Sequence, residues 1–190
     1  MKIGLAACEF INNNVWFNVS QIEKAMKSMQ GKVNLLCFGE AFLQGFDALT
    51  WVYENDKHIA VSTDSDIMRD LCGMAKRYKL DLMFGYIERY DDAIYSSYAV
   101  IEHGELTYNY RRISRGWKEY QITDGHYKEG AEPAEFLYRG RPVMIALCGD
   151  MWDFPERFRT DGLLIWPISA LRMGWIWSMQ SRHILHPIKR

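Results

Sequence analysis

Three short runs of this chain read as buried strands: VNLLCFGE from Val33, LDLMFGYIER from Leu80 and VMIALCGD from Val143. The first is apolar on both faces, and a strand of that kind suits a sheet covered on both sides rather than one with a face in water. This requirement restricts the fold to layered α/β arrangements. The helices to supply the cover are present between the runs. NVSQIEKAMKSMQGK, residues 18–32, predicts a helix capped by Ser20 or a nearby asparagine, with Ile22, Met26 and Met29 on one face and Gly31 at its end. A second amphipathic stretch from Asp64 to Tyr78 turns Ile67, Leu71, Met74 and Ala75 inward.

The remaining segments have a different texture. AIYSSYAVIEHGELTYNYRR, residues 93–112, mixes small and aromatic residues around EHGE, which predicts an antiparallel hairpin. EFLYRGRPVMIALCGD predicts another, with Arg139 and Gly140 near its turn. KIGLAACEF is a first strand, and DGLLIWPIS a last one, stopped by Pro167. The order β-α-β-α-β, then hairpins, then β, implies a sheet with helices on one face and a second sheet against the other.

With 190 residues and 48% hydrophobic content the chain is sized for a single domain, 1–190, with a sizeable core. Its 23 basic and 24 acidic residues balance, with no basic block resembling a nucleic-acid footprint, so a small molecule or a protein is the expected partner. Cys8, Cys37, Cys72 and Cys148 lie far apart without a CxxC pair, which favours free thiols in a reducing cytosol. No signal-peptide-like or membrane-spanning apolar segment is evident, and the expectation is a cytoplasmic protein that binds neither membrane nor nucleic acid.

Three polar groups stand where strands end: Glu40, Arg112 and Cys148. Each alone has an ordinary explanation, as a loop charge, a surface pair or an inert core thiol. Together they matter, because ligand sites in α/β sheets gather outside the carboxyl ends of strands.

The surrounding blocks LLCFGEAFLQGF, GELTYNYRRIS and IALCGDMWDFPERF resemble, in order and spacing, the three signature blocks of the nitrilase superfamily of carbon-nitrogen hydrolases, over about residues 1–169. The resemblance implies a four-layer αββα sandwich and a Glu-Lys-Cys triad. By position Cys148 is the nucleophile that attacks an amide-type carbon and forms a thioester, and Glu40 the general base. The Gly149 N–H with a nearby cation would hold the oxyanion. No cofactor or metal is implied, the substrate is a small amide or carbamoyl compound, and a homodimer or higher homo-oligomer is expected.

The chain departs from the family pattern at several places. Arg112 stands at the lysine position; either it serves as the cation or Lys118 in GWKEY reaches in, with Arg112 favoured by position. Glu119 is the candidate for the family's second glutamate. Gly39 and Gly149 replace a proline and a tyrosine, which predicts roomier or more flexible pocket walls. Trp51, Tyr53, Trp117 and Trp152 are expected either in an aromatic pocket or in the core, and His126 in GHYKEG is expected to bind backbone.

Residues 170–190 form an atypical tail, and the chain reads as a C-terminally shortened member whose sandwich is incomplete. A missing strand pair leaves apolar sheet surface and an open edge that Trp175, Ile176, Trp177 and Met179 can cover, within the chain or across a dimer. His183 and His186 lack acidic or cysteine neighbours and do not make a metal site. An amidase-type hydrolase is the leading expectation. A catalytically silent assembly module and a non-functional truncated product are the alternatives.

Overall fold

The computed structural model describes residues 1–118, 124–133 and 135–167, together with the backbone of 175–178. Nine strands and four α-helices are defined among them. β1 (Ile3–Leu5), β2 (Leu35–Cys37), β3 (Asp81–Tyr90), β4 (Ala93–Glu102) and β5 (Glu105–Arg111) form one sheet in that order, parallel for the first three strands and antiparallel thereafter. β6 (Glu135–Tyr138), β7 (Arg141–Ile145), β8 (Leu163–Trp166) and β9 (Trp175–Ser178) form a second sheet, in which only β7 and β8 run parallel.

The two-sided apolar pattern of the central strands is explained by what lies on each face. Leu36, Phe38, Leu82, Phe84 and Tyr86 pack against α1 (Val15–Met29) and α3 (Asp66–Tyr78) through Val19, Ile22, Met26, Met68, Leu71 and Ala75. Their alternates Leu35, Cys37, Met83, Tyr98 and Val100 meet Tyr138, Val143, Ile145, Leu163 and Ile165 of the second sheet. Three layers, helix, sheet and sheet, are therefore described, three of the four expected of an αββα sandwich.

Local chemistry fixes the boundaries. α1 begins at Val15, with the Asn14 side chain accepting from the Phe17 N–H, so an asparagine is the cap and Ser20 lies inside the helix. α3 is capped by Ser65, which accepts from the Met68 N–H. The β4–β5 hairpin turns at His103 and Gly104 and the β6–β7 hairpin at Arg139 and Gly140, all four with positive φ, which is the geometry that matches the right-handed twist of the flanking strands.

Buried Asp81, at the start of β3, ties these turns together. It accepts from the Tyr138 hydroxyl at 2.7 Å, from Arg139 at 2.8 and 3.0 Å, and from the His103 N–H at 3.0 Å. This polar clamp holds the two sheets at the end opposite the loops that follow β2 and β7.

The tail contributes β9, which pairs antiparallel with β8 in the register Leu163 to Ser178 through Trp166 to Trp175. The covering role expected of the Trp175, Ile176, Trp177 and Met179 side chains, like the histidines 183 and 186, lies outside the described residues. Two short helices, α2 (Tyr53–Asp56) and α4 (Asp150–Asp153), lie in the loops above the sheets.

Candidate active site

Glu40 follows β2 in a turn pressed against β3. Gly85 donates its N–H to the Gly39 carbonyl at 3.1 Å, and the Leu43 N–H donates to the Gly85 carbonyl at 3.1 Å. A Cβ on Gly85 would lie 2.6 Å from the Glu40 Cα and 2.5 Å from the Ala41 nitrogen, so this close approach needs a glycine. Ala41 takes a φ of +50° to complete the turn.

Arg112 leaves β5 with its N–H donating to the Ser96 carbonyl at 2.9 Å. Its Nη1 donates to Glu40 Oε1 at 2.8 Å, and each side chain is only 2% exposed. The Ser96 hydroxyl donates to the same carboxylate oxygen at 3.1 Å. Arg112 Nε donates to Ser114 Oγ at 2.6 Å. Glu40 Oε2 is buried and has no hydrogen-bond partner among the described residues. One carboxylate oxygen is thus occupied and the other carries no hydrogen bond from the described residues.

Cys148 stands three residues past the end of β7, in a turn that gives it a φ of +37°. Few non-glycine residues adopt that conformation, and it persists only where the surroundings impose it. Its N–H donates to the Pro167 carbonyl at 3.3 Å, and its own carbonyl accepts from Trp166 Nε1 at 3.0 Å. Burial pushes the thiol up to about 11, and the adjacent Glu40 carboxylate pushes it the same way; the Arg112 guanidinium and the Gly149 N–H act in the opposite direction. Glu40, Arg112 and the Gly149 amide are therefore neighbours of the sulfur.

The turn and the arginine loop are locked together by Asp150, which the sequence reading passed over. This fully buried carboxylate accepts from the Leu147 N–H at 2.8 Å and the Tyr110 hydroxyl at 2.7 Å. It also accepts from the Ile113 and Ser114 N–H groups at 3.1 and 2.8 Å. An acidic residue two positions after the cysteine, inside an otherwise apolar run, is the one sequence signal that could have marked it.

Other expected residues lie elsewhere. Lys118 donates to the Tyr127 carbonyl at 3.1 Å and pairs with Glu129 at 2.5 Å, and the cation paired with Glu40 is Arg112. Glu119 lies outside the described residues. Trp152 is 58% exposed and meets Trp166 edge-on, whereas Trp51 and Trp117 cluster with Tyr127. The four aromatics do not form one wall.

The His126 ring is stacked on Tyr53 and bonds the Asp124 carboxylate at 2.6 Å, so its partner is a side chain and not backbone. The expectation of a roomier wall at Gly149 is corrected as well. A Cβ there would fall 2.3 Å from Arg112 Nη2, so the space is filled by the guanidinium.

The carbon-nitrogen hydrolase family model matches residues 2–157, and the chain belongs to that family. Among solved structures it is similar to a CN-hydrolase superfamily protein from Xanthomonas campestris with an arsenic adduct in its active site, at 16% identity and a TM-score of 0.67, covering 80% of this chain and 55% of that one. It is similar also to the amidase of the nitrilase superfamily from Nesterenkonia AN1, at 17% identity and TM-score 0.67, covering 88% and 64%. A third likeness is to the glutamine-dependent NAD+ synthetase of Acinetobacter baumannii, at 17% identity and TM-score 0.63, covering 81% and 28%. The matched part of each of these structures is thus less than two thirds of its length. No curated protein matches the chain in sequence. All four cysteines are free, and no helix among the described residues is long and apolar enough to cross a membrane.

Proposed function

We propose that this chain is a carbon-nitrogen hydrolase acting on a small amide or carbamoyl compound through a thioester on Cys148. The observation that carries this reading is the buried contact of Glu40 with Arg112, beside a thiol that both residues influence. The amidase named among the structural neighbours supports the same reaction class.

In the proposed cycle the Cys148 proton passes to Glu40 as the sulfur attacks the carbonyl carbon. The thiol is held protonated at neutral pH, so the nucleophile forms only as its proton is taken, which is the division of labour expected of a general base beside a weakly acidic nucleophile. Gly149 N–H and Arg112 Nη2 receive the oxyanion; among the described residues Nη2 has no hydrogen-bond acceptor of its own. Collapse of the tetrahedral species breaks the C–N bond, and Glu40 returns the proton to the departing nitrogen. Water, deprotonated by Glu40, then cleaves the thioester, releasing the acid and restoring the thiol.

The test is ammonia release from a panel of small amides and carbamoyl compounds, by the protein and by Cys148→Ala. Release that depends on the sulfur supports the reading. Release at an undiminished rate from the alanine variant removes Cys148 from the chemistry.

A further inference from the structure

Two departures from the family pattern, arginine at 112 and glycine at 149, meet in space. Gly149 has φ −65° and ψ −17°, a right-handed helical conformation open to any residue, so its backbone gives no reason for a glycine. Space gives one. An added Cβ would lie 2.3 Å from Arg112 Nη2, 3.0 Å from Ser114 Oγ and 3.4 Å from Arg112 Cζ.

The guanidinium cannot simply move aside, because it is held at two other points. Nη1 is bonded to Glu40 at 2.8 Å and Nε to Ser114 at 2.6 Å. Ser114 is fixed in turn by its N–H bond to Asp150, whose carboxylate also holds the Leu147 N–H at the start of the cysteine turn. A displaced guanidinium would leave Glu40 without its buried partner, a costly outcome for a charge in that environment. A lysine in the same place would end near the position of Cζ and would clear the Cβ by about the 3.4 Å found there.

We propose that Gly149 and Ser114 are positioning residues that form an arginine-specific cradle, and that Gly149 determines which cation the site can use. Ser114 aligns the planar fork through Nε, and the bare Gly149 Cα admits Nη2 beside the residue that follows the nucleophile. The substitution at 112 and the substitution at 149 are therefore one structural change. A chain with alanine or a larger residue at 149 needs a shorter, compact cation, and a chain with arginine at 112 needs glycine. This inference rests on the proposed reaction only for its significance; the cradle itself can be measured without turnover.

The experiment is the pH profile of Cys148 alkylation by iodoacetamide, read by peptide mass spectrometry in the full chain, for wild type, Gly149→Ala, Arg112→Lys and the double variant. Arg112 favours the thiolate, so displacing it slows labelling at a fixed pH below the thiol's titration. Gly149→Ala is expected to slow alkylation at pH 8 roughly fivefold, the scale of coupling between groups in contact. In the Arg112→Lys background the same alanine is expected to change the rate by less than about twofold.

Equal slowing in both backgrounds would overturn the proposal, as would a wild-type profile for Gly149→Ala. Should Gly149→Ala fail to fold, as judged by circular dichroism, folding of the double variant supports the cradle and misfolding of both overturns it. Ammonia release is not part of this readout, so an inactive wild type with the predicted coupling would leave the cradle standing while sinking the hydrolase reading.

Discussion

Glu40 Oε1 and Arg112 Nη1 meet at 2.8 Å although 72 positions separate them in the chain, and both side chains are withdrawn almost wholly from solvent. A buried ion pair of this kind adds little to stability when intact but is expensive to break from one side. The neighbouring thiol is raised first by burial and then by Glu40, and lowered by Arg112, so the two members of the pair act on it in opposite directions.

Glu40→Gln separates the two effects of the carboxylate. Removing its charge abolishes the general base, with an expected loss of about 10²- to 10⁴-fold in any amide turnover. The same change removes an influence that holds the thiol proton on, while Arg112 still favours the thiolate. Alkylation of Cys148 at pH 8 should therefore be faster than in wild type. Slower alkylation than wild type would show that Glu40 is not the neighbour that governs the sulfur.

The thiol also sets a stability signature at high pH. Its titration lies at about 11 in the folded chain against an ordinary 9.0, so the folded state holds the proton more tightly than the unfolded state. With the folded value raised, the stabilising contribution is complete below pH 9 and disappears as pH rises through 11. Urea unfolding of wild type and Cys148→Ser between pH 8 and 11 should show the wild type losing stability relative to the variant across that window. A constant difference would contradict the assignment.

Asp150→Asn should weaken the whole site. Four donors converge on this carboxylate, three of them backbone N–H groups that no other acceptor serves as well. A neutral amide offers fewer acceptor sites, and unfolding in urea should show a loss on the order of 3 kcal/mol, the cost of leaving buried donors unmade. A loss below about 0.5 kcal/mol would mean that the turn holds its shape by other contacts.

The double-sided apolar strands, the hairpins and the three strand ends could all be read from the sequence, because each depends on local pattern or on chain order. VNLLCFGE shows its burial on both faces directly, and the glycines at 104 and 140 mark their turns. Asp150 was missed because its partners Tyr110 and Ile113 come from another strand end, and nothing near it in the chain reports that. Gly149 was misread for the same reason: a missing Cβ looks like empty space until the guanidinium that fills it is known. Position in the sequence favoured Arg112 over Lys118, but spacing could not report the contacts themselves, Arg112 on Glu40 and Lys118 on Glu129 and the Tyr127 carbonyl.

Lys118→Ala tests that choice. Its ammonium is held by Glu129 and Tyr127, so Cys148 alkylation and its pH profile should change by less than about twofold, within the range of a minor ion pair. A change as large as that from Arg112→Ala would return the lysine to the site.

The most direct measurement is the mass of the protein quenched in acid during turnover of a small amide. An acyl adduct on the Cys148 peptide, appearing with ammonia and missing from Cys148→Ala, is the predicted result. Ammonia formed at the wild-type rate by the alanine variant, with no adduct on any cysteine of the wild type, would contradict it.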